Sequence, residues 1–201
     1  MAFVNMKTKE IQVKIVYYGP GRGGKTTNLE YIHNKFKDRI KTEMVTIKTR
    51  GDRTLFFDFL PIDIGKIKDF QVRIQLYTVP GQVKYNATRK LVLRGVDGIV
   101  FVADFMAIRR RSNMLSLKDL ERNLAEYKKS IFKIPIVLQY NKIDLANQRI
   151  SLVPFNILEG DLNRQLKAPS YSASALNGDN VVATLRKSIG ITVGSLEKKF
   201  S

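Results

Sequence analysis

The chain has no cysteine, a single histidine, and about half as many acidic as basic residues. The first absence excludes disulfides and thiolate metal sites. His33 lies midway along a helix-like stretch, where a packed or surface role is the ordinary one, so it is not read as a metal ligand. No apolar run approaches the roughly 20 residues that a membrane span requires. The opening Met1-Ala2-Phe3-Val4-Asn5 has neither a secretory apolar core nor a myristoylation glycine, and Glu197-Lys198-Lys199-Phe200-Ser201 offers no prenylation cysteine. The expectation is a soluble, cytoplasmic protein with no transmembrane segment, which meets a membrane only through partners or charge.

The shortage of acid leaves 35 Lys+Arg against 18 Asp+Glu, a net charge of +17. Such a balance attracts any polyanion. The bases are spread along the chain (Lys35, Lys37, Arg39 and Lys41; Arg109, Arg110 and Arg111; Lys128, Lys129 and Lys133), and no groove-reading motif accompanies them. Nucleic acid is therefore not the expected partner. An anionic surface is a minor expectation beside a simply solvated basic exterior. At 201 residues the chain suits one well-packed core and is short for two, so a single domain over 1–201 is expected.

What is present is an alternation of apolar strand-like segments with amphipathic helix-like ones, the pattern of an α/β fold with helices on both faces of a mainly parallel sheet. Strands are expected at Ile11–Tyr18, Leu55–Leu60, Phe70–Thr78, Gly98–Phe105, Pro135–Tyr140 and Ser170–Ser172. Helices are expected at Thr26–Phe36, Lys84–Leu93, Ser116–Ser130, about Ser151–Leu158, and Asn180–Ile189. The second and third strands read as a hairpin turning near Gly65-Lys66, giving a six-stranded sheet one antiparallel edge strand. Ligands of such sheets bind beyond the carboxyl ends of the strands.

The polar motifs fall in those loops. Gly19-Pro20-Gly21-Arg22-Gly23-Gly24-Lys25-Thr26 reads G-x-x-x-x-G-K-T between the first strand and the first helix. The glycines let the backbone curl so that successive N–H groups face a phosphate; Lys25 reaches the β/γ oxygens and the Thr26 hydroxyl offers itself to Mg²⁺. Thr27 opens the helix beside them. Arg22 either adds a cation to the phosphates or points outward, and outward is the expected orientation. After the fifth strand, about 115 residues downstream, stands Asn141-Lys142-Ile143-Asp144. The Asp144 carboxylate can accept from guanine N1–H and its exocyclic amine, a pair that adenine does not offer. Asn141 can address N7, and Lys142 lies along the base. Ser172-Ala173-Ser174, after the last strand, supplies a backbone N–H for guanine O6. The combination selects GTP and GDP over adenine nucleotides.

These three motifs together resemble those of the small Ras-like GTPases, the P-loop NTPases with a three-layer fold. Thr78-Val79-Pro80-Gly81-Gln82 stands where that family has D-x-x-G-Q. With Arg53-Thr54-Leu55-Phe56-Phe57-Asp58-Phe59-Leu60-Pro61 and Asn86–Gly98 it is similar to the bacterial gliding-motility branch, GTPases of the MglA type, over residues 10 to 190. The likeness is looser after Phe105, where Arg109–Arg111 and Ala146–Leu166 match no motif.

The resemblance implies slow intrinsic GTP hydrolysis to GDP and phosphate. It also implies a roadblock-type activator resembling MglB, polarity or motility effectors, and recruitment to a cell pole. It assigns Gln82 to orienting the attacking water, Arg53 to a built-in arginine finger, Thr54 to Mg²⁺ and the γ-phosphate, and Gly81 to the nucleotide-sensing loop. Threonine at 78 replaces the aspartate that ordinarily holds a metal-bound water. Asp58, the one acid inside an apolar strand, is read either as taking over that outer-shell role beside Thr78 or as an edge-strand residue facing solvent. Two rival readings remain at this point: a GTP-binding scaffold with little hydrolysis, and a nucleic-acid-associated P-loop protein favoured only by the charge.

Overall fold

A computed structural model describes residues 3–37, 44–47, 57–67, 69–81 and 85–200. Its strands are β1 (Phe3–Asn5), β2 (Glu10–Tyr18), β3 (Val45–Ile47), β4 (Phe57–Ile67), β5 (Phe70–Thr78), β6 (Gly98–Asp104), β7 (Ile136–Asn141) and β8 (Ser170–Ala173). The helices are α1 (Lys25–Lys35), α2 (Asn86–Leu93), α3 (Arg110–Ala125), α4 (Phe155–Leu158) and α5 (Val181–Phe200). The sheet order is β3-β4-β5-β2-β6-β7-β8, with β1 paired to β2.

The six expected strands are all present, and β5, β2, β6, β7 and β8 run parallel. Two three-residue strands were missed. β3 pairs antiparallel outside β4, so β4 is not the sheet edge that the hairpin pattern implied. β1 lies antiparallel on residues 10–12 of β2, a stretch below the level at which β6 begins its pairing with Ile15. The hairpin also turns later than expected. β4 runs on to Ile67, and Gly65, at φ +87°, sits in a β-bulge between Asp63 and Lys66.

Alternation along the strands feeds two cores. Val16, Tyr18, Phe101, Leu138 and Tyr140 face the side covered by α2, α3 and α4, whereas Val13, Ile15, Tyr17, Val100 and Val102 face α1 and α5. Every residue of β6 and β7 is buried, which is why both read as near-continuous apolar runs.

Helix boundaries moved where tertiary contacts outweighed local signals. α3 begins six residues before the expected Ser116, because Asn113 reaches back to Asp104: its Oδ1 accepts from the Asp104 N–H (2.9 Å) and its Nδ2 donates to the Asp104 carbonyl (2.8 Å). α5 runs on through Gly190 and Gly194 to Phe200, past the expected stop at Ile189. Its far half packs: Thr192 lies against Gly98 of β6, and Leu196 against the second core. Among the described residues, no helix is long and apolar enough to cross a membrane.

Candidate functional site

At the carboxyl ends of the parallel strands lies a cleft of about 620 Å³. Its walls include Arg22–Thr27, Asp58, Thr78–Gly81, Asn141, Lys142, Asp144, Ala175 and Leu176. Loops separated by more than a hundred residues in sequence thus meet around one cavity.

The phosphate-loop side is built on a left-handed Gly24 (φ +94°) that ends the loop and starts α1. A Cβ there would lie 2.1 Å from Asn141 Nδ2, so glycine is required both by the backbone angle and by the close approach. Lys25 is buried, and its Nζ donates to the carbonyls of Gly19 (2.9 Å) and Pro20 (2.7 Å). Burial pushes its pKa down to about 7; Arg89 repulsion adds to this, Asp58 offsets part, and Arg109 contributes a further lowering. An anion held in the loop would favour the charged form of this lysine. Arg22 is exposed at φ +61° and stands at the rim of the cleft whose wall it joins. Gly21 lies outside the cleft lining, caught between Gly81 on one side and Arg109 on the other.

The Gly81 contact is backbone against backbone. A Cβ at Gly81 would fall 2.2 Å from Gly21 N and 2.4 Å from Gly21 Cα. Glycine alone allows the Pro80-Gly81 segment to rest on the phosphate loop, so a displacement of either is transmitted to the other.

Asp58 does not face solvent. It is 6 % exposed, and its Oδ2 accepts hydrogen bonds from Thr26 Oγ1 (2.7 Å) and Thr78 Oγ1 (2.8 Å). The strand pairing brings it there: Phe59 opposes Tyr77, and the Asp58 N–H donates to Thr78 Oγ1 at 2.9 Å. With its proton directed at Asp58, the Thr26 hydroxyl presents lone pairs to the cleft, which is the arrangement a metal ligand needs. Arg53, Thr54 and Gln82 lie outside the described residues.

On the base side, Asn141 is committed structurally. Its Nδ2 donates to the Gly23 carbonyl (2.9 Å) and its Oδ1 accepts from the Ala175 N–H (2.8 Å), tying the phosphate loop to the loop after β8. Lys142 and Asp144 line the same cleft, Lys142 with a left-handed backbone at φ +78°. The expectation for Ser172 and Ala173 needs correction. β8 continues through Ala173, which pairs with Asn141 in the ladder, and the cleft wall is formed two residues later by Ala175 and Leu176. The repeated Ser-Ala in Ser172-Ala173-Ser174-Ala175 concealed that shift, and only the strand end resolves it.

Two further residues escaped the motif reading. Asp104, at the end of β6, is fully buried, and its Oδ2 lies 2.6 Å from Lys142 Nζ. Arg109 Nη2 donates to the Gly21 carbonyl at 2.7 Å. An acid closing an otherwise apolar strand was the available signal for Asp104. Nothing local marks Arg109 among its neighbouring arginines. On α2, buried Arg89 pairs with Asp119 of α3 (3.0 Å), and Asp119 also accepts from Tyr18, the residue preceding the phosphate loop.

A phosphate-loop motif, the Asp144 carboxylate and a third loop packed through Gly81 around one cleft of a mainly parallel sheet agree with the family model that matches residues 14–190, described as the Ras family. The chain belongs to the Ras family.

This Ras-family GTPase is 48 % identical over 198 residues to the mutual gliding-motility protein MglA of Myxococcus xanthus, covering 98 % of the chain and 99 % of that protein. It is 27 % identical over 143 residues to the Ras-related protein Rab-7a of Dictyostelium discoideum, covering 71 % of the chain and 64 % of that protein. The Ras-related protein Rab7 of Drosophila melanogaster is 25 % identical over 174 residues, covering 86 % of the chain and 76 % of the relative. The three-layer P-loop fold and the GTPase activity follow from this membership.

Proposed function

We propose that this Ras-family GTPase is a Mg²⁺-dependent molecular switch, a single G domain over residues 1–201, that hydrolyses GTP with help from a partner. Lys25 and the amides of the phosphate loop hold the β- and γ-phosphates, Thr26 and Thr54 supply metal ligands, and Asp144 selects guanine. The observation that carries the reading is that one cleft is lined at once by Lys25 and Thr26 and, across it, by Asp144. As a switch it presents different surfaces to partners in its GTP-bound and GDP-bound states. By similarity to the gliding-motility relative, its output is cell polarity for gliding or type IV pilus motility. The same similarity points to a roadblock-type activator and to cytoplasmic action drawn to a cell pole through effectors.

The donor set fits Mg²⁺ of the nucleotide-bound kind. Among the described residues there is no cluster of three acidic or histidine ligands. Mg²⁺ at phosphate sites takes one or two protein oxygens, with water and phosphate completing its shell. Bound there, the ion neutralises charge on the β- and γ-phosphates. Thr26 Oγ1 would be a direct ligand, its orientation fixed by Asp58, and Asp58 with Thr78 would accept hydrogen bonds from water in the ion's shell. A neutral threonine at 78 is thereby compensated by a carboxylate from the adjacent strand. Asp58→Ala should then weaken the Mg²⁺-dependent part of nucleotide affinity about 10- to 100-fold, the usual cost of removing an outer-shell partner. Nucleotide dissociation measured with Mg²⁺ and with a chelator checks this; an undiminished difference between the two would show Asp58 to be a bystander.

The reading as a whole is tested by denaturing the purified protein and identifying the nucleotide released. Guanosine phosphates are expected. Adenine nucleotides, or none together with no uptake of added GTP, would overturn it.

A further inference from the structure

We propose that Asp104 is a positioning residue that couples the base-binding loop to the phosphate loop, with Lys142 and Arg109 as its two arms. The inference rests on the guanine-nucleotide reading of the cleft and adds to it a residue that belongs to none of the motifs. Asp104 ends β6, between β2, which leads into the phosphate loop, and β7, which leads into the base loop. It is 0 % exposed.

Every polar atom of Asp104 that could stray is held. The N–H and carbonyl are clamped by Asn113, and Oδ1 accepts from the Met106 N–H at 3.0 Å. That leaves Oδ2 facing two cations, Lys142 Nζ at 2.6 Å and Arg109 Nε at 3.9 Å.

A carboxylate taken wholly out of water needs cations to meet it, and Asp104 thereby sets where the Lys142 and Arg109 head groups sit. Lys142 has a flexible four-carbon stem that would otherwise sample many rotamers. Anchored at Nζ, that stem is held as a fixed apolar rail along the cleft wall against which a purine can lie. Arg109 extends the same anchor in the opposite direction. Its guanidinium fork spans from Asp104 Oδ2 to the Gly21 carbonyl, 2.7 Å from Nη2. An arginine that holds a loop carbonyl from behind fixes the direction in which the neighbouring amides point, and those amides grip the phosphates. Base contact and phosphate contact therefore share one buried charge, and loosening it releases both ends of the ligand.

The test is a set of dissociation rates for a fluorescent GDP analogue, with GMP affinity measured in parallel. Asp104→Asn, which keeps shape and removes charge, should speed GDP dissociation roughly 10- to 100-fold, as loss of a buried charge partner does. Lys142→Met should have a similar effect, and the double variant should be little worse than either single one. A merely structural aspartate would instead give effects that multiply. Arg109→Met should weaken GDP several-fold more than GMP, because its arm serves the β-phosphate cradle.

Should Asp104→Asn fail to fold, the cycle between Lys142→Met and Arg109→Met decides, with sub-multiplicative effects expected. Multiplicative effects in either cycle, or equal weakening of GDP and GMP by Arg109→Met, would overturn the coupling while wild-type GDP binding still upheld the site. A wild-type protein that binds no guanine nucleotide would overturn both.

Discussion

Asp144→Asn is expected to turn the protein away from guanine and towards xanthine. Asp144 offers only acceptors, matched to guanine N1–H and the 2-amino group. An asparagine replaces one acceptor with an N–H donor, which opposes the amine but suits the carbonyl that xanthine carries at the same carbon. Sites built around such polar pairs reject the mismatched base by about 10⁴, since a buried donor then faces a donor. GTP affinity should fall by roughly that factor, and XTP should recover most of the loss. Competition of the two triphosphates for a fluorescent nucleotide on wild type and variant measures it directly. GTP binding unchanged in the variant would mean that Asp144 does not read the base. The substitution spares Lys25 and Thr26, so a loss confined to guanine cannot be ascribed to a damaged phosphate loop.

Arg53→Ala should be the most damaging change to turnover. In-line attack on the γ-phosphate demands an oriented water and positive charge on the transferring oxygens, and an arginine supplied to that position is worth about 10³–10⁵ in rate. In the proposed mechanism Arg53 supplies the charge and Gln82 orients the water when the activator is bound. Partner-stimulated hydrolysis by Arg53→Ala should thus drop by at least about 10³, with GTP binding changed only a few-fold, because the interaction forms in the transition state. Gln82→Leu should give a comparable loss by leaving the water unoriented. Phosphate release under single-turnover conditions, with and without the activator, separates the cases. Full stimulated turnover in both variants would remove the two residues from catalysis. A loss seen equally without the activator would mean that the arginine is already in place in the free protein.

Much of the site was legible because phosphate and base recognition use short, local motifs. Eight consecutive residues make the phosphate loop, and four make the base loop. Asp58 was visible too, as an acid in an apolar strand, although its partners were not. Whether it faced solvent or Thr26 depended on the β4–β5 register and on α1 lying over that face, which set Asp58 against Thr78 and Thr26. Less was legible where two local patterns were equivalent. Ser172-Ala173 and Ser174-Ala175 present the same dipeptide, and because the ladder to β7 holds Ala173, it is Ala175 of the second pair that lines the cleft. The helix expected to end at Ile189 runs on through Gly190 and Gly194 because the far turns of α5 bury apolar surface against the sheet, which outweighs roughly 1 kcal/mol of propensity per glycine.

By itself the sequence determined the six main strands, the loops in which the motifs fall and the family whose guanine nucleotide they imply, since these depend on periodicity and on residues close together in the chain. Only the tertiary structure decided that Asp58 reaches Thr26 and Thr78, that Asn141 ties two loops together, and that Asp104 stands between Lys142 and Arg109. These contacts join residues from different strands. Hydrogen bonds and ion pairs act over a few ångströms in space whatever the separation along the chain, so no local pattern can specify them.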